Sequence, residues 1–237
     1  MIPYKYHAAK LSWLKNELNK IPKIRVGKDQ VYIYDDSGKK HRYRSSSQNA
    51  MKIMPLIRRR KELENEYNEL LFQWERTYRM PPPEIGMPVP CDTNLDYGFF
   101  EKAKAGMNTY PMTSYTEYNG IRFRSKNEEI AAYVLDVLGL PYKYETAVVT
   151  KQNEVVCPDF LVGVREINRC FYYEVCGKTE DGQYLDRKLS DKKKLIMDGY
   201  RMGRDVHFIY APDSHSFDID QMKHQILSAI EGLIPGQ

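Results

Sequence analysis

The sequence predicts a mixed α/β domain whose elements run helix, three strands, helix, strand, helix (αβββαβα), preceded by a mainly helical N-terminal region with a β-hairpin. Three observations lead there. Apolar residues before position 80 recur at helical spacing. Prolines at 81, 82, 83, 88 and 90 then forbid a continuous helix. Beyond position 116, short apolar runs suited to strands alternate with helical stripes, the pattern of a mixed sheet covered by helices. The chain divides into a basic helical and hairpin arm (1–80), a proline-rich linker with a short helix (81–115) and a mixed domain (116–237).

In the arm, Leu11, Leu14, Leu18 and Ile21 mark a first helical stripe. A second runs through Ile53, Leu56, Leu63, Tyr67, Leu70, Trp74 and Tyr78, and predicts an amphipathic helix of ~30 residues. Between them, Val31–Tyr34 and Lys40–Arg44 flank Asp35-Asp36-Ser37-Gly38, a hairpin signal. A short helix near Tyr97–Ala105 follows the linker, then an extended run at Ile121–Arg124. Ser125 opens a helix through Ile130, Val134 and Leu138 that stops at Gly139. Tyr142–Val149, Val155–Val164 and Cys170–Cys176 read as strands. A charged helix over Tyr184–Met197 ends at Gly199, Val206–Tyr210 is a further strand, and Ile219–Ile234 is a final amphipathic helix. Three consecutive strands suit an antiparallel meander, with the last strand joined through a helical crossover.

Composition narrows the function classes. A 42% apolar fraction supplies a core, while 29% charged residues and a mean hydropathy of -0.64 suit a water-soluble chain. No run reaches a membrane span, the first twenty residues lack an apolar signal core, and cytoplasmic residence is the expectation. The four cysteines and five histidines lack zinc spacing, and buried free thiols are expected. Residues 1–79 carry 18 Lys/Arg against 9 Asp/Glu, whereas 80–237 carry 18 against 23. This asymmetry reads either as an electrostatic arm for a polyanion or as lysine-rich helices with solvated faces.

The sharpest signal is Val155-Val156-Cys157-Pro158-Asp159-Phe160 followed by Tyr172-Tyr173-Glu174-Val175-Cys176. Carboxylates within apolar runs are costly to bury alone. Two on neighbouring strands, about 4.8 Å apart, can share one hard divalent cation. With the order αβββαβα, these residues resemble the PD-(D/E)XK phosphodiesterase superfamily, the restriction-endonuclease-like fold, over roughly residues 116–237. Arg124-Ser125-Lys126-Asn127-Glu128 and Tyr142-Lys143-Tyr144-Glu145 extend the likeness. The resemblance implies an endonuclease-like enzyme acting on nucleic acid, with DNA the expected target. It implies Mg²⁺ (or Mn²⁺) held by Asp159 and Glu174, with Glu128 joining the metal shell. A lysine two positions after the glutamate is expected to help activate water, and Cys176 stands there instead. Lys188, Lys192, Lys193 and Lys194 on the next helix are candidate substitutes, and Lys192 is preferred. Lys178 is closer in sequence but past the strand end.

Other readings of the same residues stand beside this one. Asp159 could end a bulge after the proline, and Glu174 could pair with Arg165 or Lys143. Ser125 and Glu128 form a capping box by sequence, so Glu128 could cap its helix by reaching back to the Ser125 amide, rather than bind metal. Glu145 reads as a surface or orienting acid. In the arm, Lys40, Arg42 and Arg44 alternate onto one face of a strand, with Arg58 and Arg59 on the long helix. They form a candidate phosphate-contacting surface, and Tyr32 and Tyr34 are candidates to stack on bases. Arg58–Glu62 and Arg60–Glu64 at i,i+4 suit a solvated helix equally. The long stripe also suits homodimerisation. A degenerate nuclease-fold protein that binds nucleic acid and a protein-interaction module are the alternative functions.

Overall fold

The computed structural model describes residues 2–35, 37–85, 93–177, 181–210 and 218–235. Asp36, Pro88, Pro90, Cys91 and Lys178, which figured in the sequence reading, lie outside them. The chain divides into two compact units, one of Tyr4–Met87 and the other built mainly from Pro88–Gln237. Each has its own core.

The first unit pairs α1 (Tyr4–Lys20) with α2 (Gln48–Tyr78) and inserts a three-stranded antiparallel sheet between them in sequence. Its strands are β1 (Lys23–Val26), β2 (Gln30–Tyr34) and β3 (Lys40–Arg44), in the order β1-β2-β3. Sequence reading found the β2–β3 hairpin and missed β1, whose four residues contain only two apolar positions. Leu11, Leu14, Leu63, Leu70 and Trp74 are buried, whereas Leu56, on the predicted stripe, is 45% exposed. Ser47 caps α2 by accepting the Ala50 amide. Arg60 donates to the carbonyls of Leu18, Ile21 and Pro22, satisfying the exposed end of α1 while also pairing with Glu64. The other expected helix pair is shifted, because Arg59, not Arg58, approaches Glu62.

The second unit contains α3 (Tyr97–Lys102), a small hairpin of β4 (Thr116–Tyr118) and β5 (Ile121–Phe123), and α4 (Lys126–Val137). There follow β6 (Tyr142–Tyr144), β7 (Val148–Val149), β8 (Val155–Val156), β9 (Phe160–Val164), β10 (Arg169–Cys176), α5 (Gly182–Asp198), β11 (Val206–Tyr210) and α6 (Ile219–Leu233). A four-stranded sheet has the order β11-β10-β9-β6. Its β6–β9 and β9–β10 pairs are antiparallel, and β10–β11 is parallel through the α5 crossover. Two long strands of the sequence reading are broken. Tyr142–Val149 splits into β6 and β7 around Glu145, whose φ of 51° is left-handed. Val155–Val164 splits at Pro158, which has no amide proton for a sheet, so Asp159 precedes β9 rather than lying inside a strand.

Strand alternation gives the sheet two apolar faces. Leu161, Cys170, Tyr172 and Val206 join Phe100 of α3 and Leu195 of α5 in one core. Tyr173 and Ile209 point the other way, toward α6, which packs on α4. The short helix of the linker region is therefore part of this core. Gly163 makes that packing possible, since a Cβ there would lie 2.9 Å from the Phe100 ring. Cys176 is a buried free thiol, Cys157 is half-buried and free, and the buried Cys170 thiol donates to the Asp96 carbonyl at 3.3 Å. Among the described residues, no helix is long and apolar enough to cross a membrane.

Candidate active site

Strand register builds the centre of the site. Tyr173 lies opposite Phe160 across β9–β10, and Tyr144 opposite Phe160 across β6–β9. One residue further along, the same registers align Glu145 just after β6, Asp159 just before β9 and Glu174 within β10 in a row. Hydrogen bonds continue along that row. The Glu145 amide donates to the Asp159 carbonyl at 2.8 Å. The Asp159 amide donates to Glu174 Oε2 at 2.8 Å, and the Val175 amide donates to Asp159 Oδ2 at 2.7 Å. Each acid is thus held by the backbone next to the other.

The remaining carboxylate oxygens of Asp159 and Glu174 face one ammonium. Lys188 Nζ donates to Glu174 Oε1 and stands 3.7 Å from Asp159 Oδ1. Tyr184, one turn earlier on α5, lies beside Lys188, with its ring centroid 5.7 Å from Nζ. The side-chain spacing of α5 places Lys192 one turn too far along, with its ammonium 5.2 Å from the Phe208 ring centroid. This corrects the sequence assignment of the amine to Lys192. Lys193 points to no described acid partner, and Lys194 pairs with Asp191 and Glu154. The alternative pairing of Glu174 with Lys143 does not form. Lys143 donates instead to the Glu101 and Ala103 carbonyls, and Glu174 takes Lys188.

Glu128 enters from the start of α4. Ser125 caps this helix by accepting the Glu128 amide at 3.2 Å and donates its hydroxyl to Glu128 Oε1 at 2.9 Å. The Tyr144 hydroxyl at 2.5 Å and the Arg124 amide at 3.0 Å donate to Glu128 Oε2. The cap is real, but the acid reaches the Arg124 amide rather than that of Ser125, the amide expected from the sequence. Gly177 brings the end of β10 against this helix start, where a Cβ would meet Asn127 at 2.8 Å.

Glu145 is buried, contrary to a surface position, and accepts from Arg124 Nε at 2.5 Å and Asn108 Nδ2 at 2.7 Å. Arg124 spends its other nitrogens on the Tyr110 and Pro111 carbonyls. Its guanidinium thereby ties the segment before β4 to the acid row. Arg124 and Tyr144, which the sequence offered only as context, thus join the candidate site, and Glu145 takes the orienting rather than the surface position. Their signal was present: an arginine and a glutamate in apolar surroundings need partners once buried.

Electrostatics follows from this inventory. Among the described residues, the four carboxyls of Asp159, Glu174, Glu128 and Glu145 have two cations beside them, Lys188 and Arg124, so the cluster is two charges negative only when all four acids are ionised. Burial and the Asp159 charge push Glu174 up to about 7 against the pull of Lys188. Burial and Asp159 also push Glu128 up to about 7. Burial raises Asp159, with Lys188 opposing. For Lys188, burial favours loss of the proton, but Asp159 and Glu174 more than offset it and hold the amine charged. Burial pushes the Cys176 thiol up to about 12, so it carries no charge near neutrality and cannot stand in for an amine.

A hard divalent cation fits this donor set. Two acid oxygens, one from Asp159 and one from Glu174, already converge on a positive centre, and a divalent ion there would favour the ionised acids that burial disfavours. Among the described residues, no group of three or more His, Cys, Asp or Glu side chains stands in ligand geometry. Mg²⁺ is commonly held by one or two carboxylates and keeps several waters, so two suffice. The candidate phosphate contacts are on the other unit: Lys40, Arg42 and Arg44 are exposed on β3, and Arg58 and Arg59 on α2. Comparison with family models, with curated proteins and with solved structures finds no match to this chain.

Proposed function

We propose that the chain is a divalent-metal-dependent phosphodiesterase acting on nucleic acid, with DNA as the first substrate to test, and that the second unit has a restriction-endonuclease-like core. One observation carries this reading: two buried carboxyls on adjacent strands share a single ammonium from the crossover helix, in a cluster where acids outnumber cations four to two among the described residues. A structural ion pair would balance its charges, because unpaired buried charge is costly. Asp159 and Glu174 would hold Mg²⁺ or Mn²⁺. Such an ion supplies polarisation of a phosphoryl oxygen and makes water more acidic.

The protein's own groups do the rest. The reciprocal amide bonds of Asp159 and Glu174 fix the two acids before substrate arrives. Lys188 supplies the fixed positive charge that Cys176 cannot, next to developing charge on phosphorus. Glu128, titrating near neutrality, is suited to accept a proton from the attacking water. Arg124 orients Glu145 and keeps it out of the metal site.

Plasmid nicking in Mg²⁺ and in Mn²⁺ tests the proposal, with Asp159→Asn and Glu174→Gln as isosteric controls. Conversion of supercoiled to open or linear DNA by the parent chain, lost in both variants, is the expected result. Cutting that survives both substitutions removes these acids from the chemistry. Binding without cutting by the parent chain in either metal favours a nuclease-fold protein that has lost hydrolysis.

A further inference from the structure

The sheet of the first unit has one face on the helices and one toward solvent. Val31 is buried, and β3 contacts α2, so Val31 and its cross-strand neighbour Tyr43 mark the inner side. Alternation sends the intervening residues outward. Register then assembles the outer face row by row. Lys23, Tyr34 and Lys40 form one row, and Arg25, Tyr32 and Arg42 the next. Gln30 and Arg44 continue the pattern. Five exposed cations therefore surround two half-buried tyrosines on the middle strand. None of the residues in these three strands is acidic. Among the described residues, none of the five cations is in an ion pair. β1 supplies two of the five and was not visible in the sequence.

We propose that this face binds single-stranded nucleic acid, with bases stacked on Tyr32 and Tyr34 and phosphates taken by Lys23, Arg25, Lys40, Arg42 and Arg44. Charge complementarity requires a polyanion, and the central aromatic pair requires one that offers flat apolar faces. A single strand offers both. A duplex hides its base faces within the stack, so the two rings would gain nothing from it. Residues two apart on a strand are about 6.6 Å apart, roughly twice the 3.4 Å repeat of stacked nucleotides. The rings thus suit alternate bases, or adjacent bases drawn apart, which only an unpaired strand permits.

The geometry of the rings fits this use. The Tyr32 hydroxyl donates to Gln30 Oε1 at 2.5 Å, which fixes the ring's position on the face. Lys40 Nζ rests 4.1 Å from the Tyr32 ring centroid, so the ring already attracts a cation. Lys40 is exposed, and its four-carbon stem lets the ammonium swing to a phosphate when a base takes its place. This binding needs neither a metal ion nor Asp159, and stands apart from the proposed hydrolysis.

Fluorescence anisotropy of the full chain in EDTA provides the test, using oligothymidylate of about 12 nucleotides, within the range that one stacking surface covers. The competitors are a duplex of equal length, heparin and anionic phospholipid vesicles. The single strand is expected to bind most tightly. A Tyr32→Leu/Tyr34→Leu variant, which keeps apolar bulk but loses the flat rings, is expected to bind roughly tenfold more weakly or worse. Tyr32→Phe/Tyr34→Phe retains the rings but loses the Gln30 tether, and should bind closer to the parent than to the Leu variant, with thermal melting confirming that both variants fold. Removing Arg42 and Arg44 together should lower the slope of log affinity against log salt by about 1.4. Asp159→Asn should bind normally, so loss of cleavage there leaves this result intact. Equal or tighter binding of duplex, heparin or vesicles overturns the proposal, as does a Leu variant that binds like the parent.

Discussion

Lys188 and Lys192 sit one turn apart on the same helix and carry the same side chain, which makes them a controlled pair. Only Lys188 meets the acids. Lys188→Ala is expected to slow phosphodiester cleavage roughly 100-fold or more, the usual size when a fixed positive charge is removed from a developing anion. Lys192→Ala should leave the rate within a few-fold of the parent. Single-turnover cleavage at saturating Mg²⁺ reads both, and equal losses would show that α5 contributes only general packing. The acids make a second prediction through pH. Glu128 and Glu174 titrate near 7 in the fold but near their ordinary carboxylate value when unfolded. A raised carboxyl contributes stability that is fully present below the unfolded pKa and lost as pH rises through the folded one. Without divalent metal, the melting temperature should therefore fall between pH 5 and pH 8, by stability on the order of 1–3 kcal/mol. Mg²⁺ should flatten the fall by favouring the ionised acids. Glu128→Gln, which removes one of the two titrations without touching Lys188, should reduce the slope, and melting curves across that pH range measure it.

Elements set the position of the site through two close approaches. α3 lies on β9 because Gly163 leaves room for the Phe100 ring. Gly163→Ala forces a buried ring aside and should destabilise the second unit by about 1–3 kcal/mol, the usual cost of overpacking. Denaturant unfolding measures this. Pairing it with Phe100→Leu, which frees the space, should recover part of the loss and show that the clash is the cause. The two strand breaks at Pro158 and Glu145 matter for the same reason. Strands that continued through these points would keep pairing past the acid row. The left-handed backbone at Glu145 costs conformational energy and persists because Arg124, Asn108 and the Asp159 carbonyl hold it.

For the whole molecule, the division into two units would make the proposed metal binding a local event. Hydrogen exchange in Mg²⁺ should slow in β9, β10 and α5 while leaving α1 and α2 unchanged. Slowing in α1 or α2 alone would place the ion elsewhere. Much of this architecture was legible in the sequence, because helix stripes and caps are local signals. Ser125 before α4 and Gly199 after α5 each mark a boundary through neighbours within one turn. The pairing of Asp159 with Glu174 was legible from their apolar surroundings. The choice among four lysines was not, since it depends on the level at which α5 crosses β10, a tertiary distance with no local trace. β1 was missed because an edge strand with one face in solvent needs few apolar residues. The left-handed turn at Glu145 was missed because a glutamate carries no preference for it.

The crossed amide bonds between Asp159 and Glu174 have a practical corollary for anyone wishing to trap the protein on its target. Truncating either side chain to alanine strands a backbone N–H as well as deleting a charge, so a dead variant made that way confounds chemistry with local unravelling. Asparagine at 159 and glutamine at 174 keep an acceptor for each amide and give up the anion together with the oxygen that faces Lys188. Such decoys should grip nucleic acid without consuming it, which suits them to crystallography and pull-down alike.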